Sequence, residues 1–206
     1  MKETRTISLP EDISDITLSQ YQRLVKLKSR EDLNEEQLGK RVIMLFTGMK
    51  YRELTNVAYS DYEMLIKNIF DALANVDVPF HNTFWINGKE YGMIPTLSEM
   101  TQGEYIDLTT EPLVDENIHK IMAVLCRRVK GLDNFGMYTI EVYDGKPEVR
   151  EEVMLQCPMN VVNGLLGFFV SLSLELKTSI QKSIAKLAAQ RRKHQDTLKS
   201  GDGTQA

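Results

Sequence analysis

The spacing of apolar residues along the chain predicts a mainly helical protein with one small β element. Residues 1–16 read as extended. Thr17 and Gln20 then make a capping box, and Leu24 and Leu27 carry an apolar stripe to about Lys28. Asn34 suits the cap of a second helix, in which Leu38, Val42 and Leu45 recur at helical spacing and Gly48 supplies a stop. Arg52 to Val57 fits one short helical turn. Ser60 and Glu63 form a second box ahead of Leu65, Ile69, Ala72 and Leu73, a helix that should end before Pro79.

The period then changes. Phe84-Trp85-Ile86, Asn87-Gly88 and Lys89 to Ile94 read as a β-hairpin, because Asn-Gly tolerates positive φ at both turn positions between β-favouring flanks. Thr101 and Glu104 open a short helix through Tyr105 and Leu108. Glu116 to Arg127 reads as a further helix with Ile118, Ile121, Met122 and Leu125 on one face, and Met137 to Tyr143 as a strand ending at Asp144-Gly145. Glu148 to Gln156 suits a helix. Pro158 suits the first turn of a long final one, just after Cys157. The expectation is an α+β chain: a single α-rich domain over 1–199, β insertions near 83–95 and 137–144, and a disordered tail at 200–206.

The final helix is the most apolar. Pro158 to Leu174 is a run of 17 residues without a charge. At about 1.5 Å per residue it sits at the short limit for a bilayer core, and Asn160, Asn163, Ser171 and Ser173 dilute it. A helix apolar on nearly all sides is otherwise buried on all sides. The expectation is therefore a core helix or a subunit interface, and no membrane span.

Composition adds little and charge adds more. Of 206 residues, 42% are hydrophobic and 26% charged, which suits a globular chain. MKETRTISLPEDISD lacks the apolar core of a signal peptide, so a soluble, cytoplasmic chain is expected. The net charge of −4 is unevenly placed. Residues 1–176 hold 18 basic and 27 acidic residues, a net of −9; residues 177–199 hold seven basic residues and Asp196, a net of +6. The acidic whole argues against a general nucleic-acid binder. The basic segment is either a solvated helix face or a surface that meets something acidic: nucleic acid, a lipid headgroup, or the body of a neighbouring copy. The last would make the protein self-complementary.

Reaction chemistry is not visible in the sequence. His81, His119 and His194 lie in no HExxH and beside no cysteine at metal-ligand spacing. His119 stands near Glu116, most simply as a surface pair. Cys126 and Cys157 read as small buried hydrophobes. No phosphate-binding glycine loop or nucleophile elbow occurs. Glu35-Glu36 and Glu151-Glu152 are sequence neighbours that diverge by about 100° on a helix, so neither makes an acid/base pair. No catalytic, cofactor or metal residue is assigned, and no enzyme is expected. Arg127-Arg128, with Lys130, would complement the dipole at the end of their helix, or reach another subunit. Phe84, Trp85, Tyr91 and Tyr105 read as the packing face of the hairpin.

One order of motifs is familiar: FWINGKEYGMIP, SEMTQGEYIDL, IHKIMAVLCRRV, a strand ending in Tyr-Asp-Gly, and GLLGFFVSLSLEL. Over roughly residues 80–175 it resembles small virion and tail-region proteins of tailed phages of Bacteroidetes hosts, the crAss-like phages among them. Where that family commonly reads IMAVLYRP, this chain has Cys126 for the Tyr and Arg128 for the Pro. The resemblance implies a structural protein of the virion, assembled in the host cytoplasm: a ring, connector or tail-region subunit, with other phage structural proteins as partners and no catalytic residue. A second similarity, through Gly88-Lys89-Glu90-Tyr91, is to tail assembly chaperones and baseplate hub factors. A ring subunit needs a large apolar contact and complementary charge. Leu165, Phe168, Phe169 and Leu172 would supply the first, and Lys182, Lys186, Arg191 and Arg192 the second, in a homo-oligomer.

Overall fold

In a computed structural model of the chain, residues 7–74, 81–95 and 100–167 are described. Met1–Gly164 form one compact unit; Leu165–Ala206 form another, of which residues 165–167 are described. The fold is α+β and mainly helical, with a small antiparallel sheet.

The first half is helical: α1 (Leu18–Lys28), α2 (Glu35–Thr47), the single turn α3 (Tyr51–Leu54) and α4 (Tyr59–Ala74). Thr17 and Gln20 cap α1 reciprocally, as their spacing predicts. Asn34 does the same for α2 with Gln37. Gly48 ends α2 in the left-handed conformation, φ 67°, its N–H bonded to the Met44 carbonyl. α1 packs on α2 and α2 on α4, burying Leu24, Val42, Ile43, Leu65 and Ile69. The Ser60–Glu63 box does not cap α4. Tyr62 N–H already bonds the Ala58 carbonyl, so Ser60 lies inside the helix.

The hairpin forms as Asn87-Gly88 predicts, joining β1 (Thr83–Ile86) to β2 (Lys89–Met93) with φ of 50° and 71° at the turn. Phe84 and Tyr91 sit opposite each other, buried, with ring centroids 6.2 Å apart. The packing face predicted from four aromatics holds for these two alone: Trp85 is 65% exposed and Tyr105 56%.

After the hairpin come α5 (Gln102–Thr110), α6 (Ile118–Leu125), β3 (Cys126–Leu132), β4 (Tyr138–Ile140) and α7 (Glu148–Met154), and the chain is helical again at 159–167. The strand order is β1-β2-β3-β4, all antiparallel. α6 is the central helix: apart from His119 and Lys120 its residues are all buried, and it packs on α5 and α7. Pro158 stands just ahead of the helical stretch 159–167, facing Thr17 in an isolated β-bridge; Leu18 N–H bonds the Cys157 carbonyl and Met159 N–H that of Ile16.

Arg127 and Arg128 are not in a last helical turn. α6 stops at Leu125 and the chain enters β3 without a connecting residue. The open edge of β2 draws it there: Met93 pairs with Cys126, Gly92 with Arg127 and Tyr91 with Arg128, and Ile94 N–H takes the Leu125 carbonyl. Those ladder bonds replace the ones a longer helix would have made.

Candidate functional site

The sheet carries one element past its own body. β2 pairs with β3 only through Arg128, whereas β3 and β4 go on pairing through Leu132 and Tyr138. A bulge at Lys130 shifts the register between Val129 and Gly131. The β3–β4 hairpin therefore runs on past its pairing with β2, and β4 lies back against that strand, where Tyr138 and Ile140 meet Gly92.

Its base is pinned by buried polar contacts. Glu104 and Arg127 are the buried charged residues among those described. Arg127 Nη1 donates to Glu104 Oε1. The other oxygen, Oε2, accepts from the Thr101 backbone N–H at 2.6 Å and from its hydroxyl at 2.7 Å. Glu104 is thus both the third residue of the α5 capping box and the counter-ion of the strand. Burial works to raise its pKa; the Thr101 bonds and then Arg127 outweigh it, holding the carboxyl below its ordinary value.

Tyr143 extends the cluster. Its ring centroid lies 5.4 Å from the Arg127 guanidinium and 5.7 Å from that of Arg150, and its hydroxyl donates to Asp107. Burial first, then the Asp107 bond, pushes the phenol well above its usual pKa. Arg150 also holds Asp144 at 3.0 Å and donates from Nε to the Ala123 carbonyl. Tyr138 donates its hydroxyl to the Met93 carbonyl at 2.8 Å, and its ring covers Gly92 so closely that a Cβ there would lie 2.8 Å from Cε2. A cavity of about 380 Å³ lies between this base and the β3–β4 turn, lined by Ile94, Glu104, Arg127 and Tyr143 and, from the turn, by Asp133 and Met137.

The tip is ordered and apolar. Asp133 Oδ1 accepts from the N–H groups of Phe135 (2.8 Å) and Met137 (2.9 Å), and Asp133 N–H bonds the Met137 carbonyl at 2.8 Å. Gly136 adopts φ 78° to close the turn. On this loop and its flanks Phe135 is 91%, Leu132 72% and Met137 54% exposed.

His119 is the other notable titratable group. Its Nδ1 lies 3.2 Å from the Gln22 amide and its Nε2 3.8 Å from Glu151, too long for a hydrogen bond. It is half-buried, and desolvation, with Lys120 adding, lowers its pKa. Gln22 also donates to the Asp115 carbonyl, so this cluster ties α1 to the entry of α6. Among the described residues no His, Cys, Asp and Glu side chains group to hold a metal ion, and no helix is long and apolar enough to cross a membrane.

The chain matches no known family model, curated protein or solved structure.

Of the surface expected from the sequence, Leu165 lies in the helical stretch 159–167 and is buried. Phe168, Phe169, Leu172, Lys182, Lys186, Arg191 and Arg192 lie outside the described residues. The sequence reading passes over the hairpin tip and the Glu104–Arg127 pair. A signal for the tip is present in Asp133-Asn134-Phe135-Gly136, a turn-forming run that holds an aromatic where a turn has no core to bury it.

Proposed function

We propose that the chain acts by protein–protein assembly, as a ring, connector or tail-region subunit of a tailed-phage virion. The observation that supports this reading is the β3–β4 hairpin: Leu132, Phe135 and Met137 are exposed at a turn whose backbone Asp133 holds in place. Aromatic anchors on preorganised loops dominate binding energy at interfaces. At the base of the hairpin Arg127 bonds Glu104 and Tyr143 bonds Asp107, while Arg127 Nε and Arg150 Nη2 are buried without a hydrogen-bond partner among the described residues. The motif order resembling phage virion proteins supplies the context. The second reading, a tail assembly chaperone absent from the finished particle, uses the same surface.

Mass spectrometry of purified virions separates the two readings. A structural subunit is present in fixed proportion to the other tail proteins, and a chaperone is absent. A phage carrying Leu132→Ser with Phe135→Ser should yield few complete particles. Normal particle yield from that phage would overturn both.

A further inference from the structure

We propose a second binding surface, a basic-rimmed groove between α1 and α2 that takes a short acidic peptide segment with apolar anchor residues. The inference stands on different residues from the hairpin and does not depend on the virion reading.

The groove is a cavity of about 410 Å³. Arg23 and Lys26 reach its rim from α1, Arg41 from α2, and Arg30 from the connection between them. All four are exposed. Its lining is completed by Leu27, Met44, Leu45 and Met49, which are half-buried or buried. Arg30 is held by Asp32, with Nε at 2.9 Å from Oδ1, and Arg41 is near enough to Asp32 to help lower its pKa. Arg23 and Lys26 make no ion pair or side-chain hydrogen bond among the described residues. So cations gather on one face of a stretch, 1–176, whose net charge is −9.

Two features select the occupant. The rim asks for carboxylates. The lining asks for aliphatic side chains, and its two methionines adapt to varied shapes. An acidic helix with apolar residues at helical spacing meets both demands at once. A nucleic-acid backbone meets only the first, and the surrounding negative charge repels a long polyanion while leaving a short segment free to enter.

The test is fluorescence anisotropy on the full chain, using a labelled peptide of about twelve residues built from Glu, Asp and Leu with Leu at i, i+3 and i+4 spacing. Saturable binding is expected, at least tenfold weaker for Arg23→Glu with Arg41→Glu, and at least tenfold weaker for a peptide with Ser in place of Leu. Circular dichroism monitors the fold of the variant; if the double change unfolds it, Lys26→Glu alone carries the test. Binding unchanged in the charge-reversed chain would place the peptide elsewhere, on the basic 177–199 segment, and overturn the proposal. So would indifference to the Leu-to-Ser change. Tighter capture of labelled oligothymidylate, with a steep fall in salt, would make the surface a nucleic-acid site and overturn it equally.

Discussion

Arg127 on β3 and Glu104 on α5 meet in a buried ion pair, and this contact fastens the root of the β3–β4 hairpin to the helix beside it. Two charges removed from water must satisfy each other, because either one alone would be stranded. Glu104 brings a second contact by capping its own helix through Thr101. Replacing Arg127 by Met should therefore destabilise the protein by about 3–5 kcal/mol, by stranding the carboxylate. Urea unfolding measures it. Glu104→Leu added to Arg127→Met should recover part of the loss, and the recovery should be incomplete because the cap goes too.

The same carboxylate predicts a dependence on acid. Its folded pKa lies below that of the unfolded chain, so its contribution is complete above the ordinary glutamate value of about 4.3 and fades as pH falls through the lowered folded value. The stability gap between wild type and Glu104→Gln should be widest near neutrality and narrow below about pH 4. A gap independent of pH would show that the folded and unfolded carboxyls titrate alike.

His119 acts at a higher pH. Its folded pKa is also depressed, so the unfolded chain takes up a proton first. Its contribution is full above the unfolded value of about 6.5 and is lost as pH drops through the folded one. His119→Gln should flatten the stability profile between about pH 7 and 5. Following the ring protons of His119 by NMR should give a midpoint below the ordinary imidazole value of about 6.5.

Gly92 should tolerate no side chain. Its partner surface is the Tyr138 ring, tethered by its hydroxyl to the Met93 carbonyl. Gly92→Ala must displace that ring, at a cost of about 1–3 kcal/mol. Adding Tyr138→Ala should relieve the contact with the ring, so the double variant should lose less than the sum of the two single losses in a double-mutant cycle.

The thiols should be inert in the native state. Cys126 and Cys157 are free and buried. Burial, with Cys157 nearby, raises Cys126 well above the usual thiol value, and burial pushes Cys157 up to about 12. Neither should react with a disulfide reagent at mild alkaline pH until urea opens the fold, when both should react.

The exposed tip makes the opposite kind of claim. Phe135→Ser removes a side chain that packs on little, so unfolding free energy should stay within about 0.5 kcal/mol of wild type. Loss of assembly with unchanged stability would assign Phe135 to a contact surface.

Several caps and turns follow from residues a few positions apart, although the Ser60–Glu63 spacing lies inside α4 and makes no cap. Thr17 with Gln20 and Thr101 with Glu104 close their caps within four residues, Asn87-Gly88 closes its turn, and Gly48 ends α2 because it alone there accepts positive φ cheaply. Local physics is enough for each. The tertiary structure decided what the chain does at Cys126. IMAVLCRR suits a helix throughout, and only the β2 edge, brought in from the earlier hairpin, makes β3 the better solution. With that choice Arg127 turns inward onto Glu104 instead of trailing off a helix end, and the remainder of β3 carries an apolar tip into solvent. Backbone hydrogen bonds between distant segments are won by whichever edge arrives, and no window of sequence contains both sides of that competition.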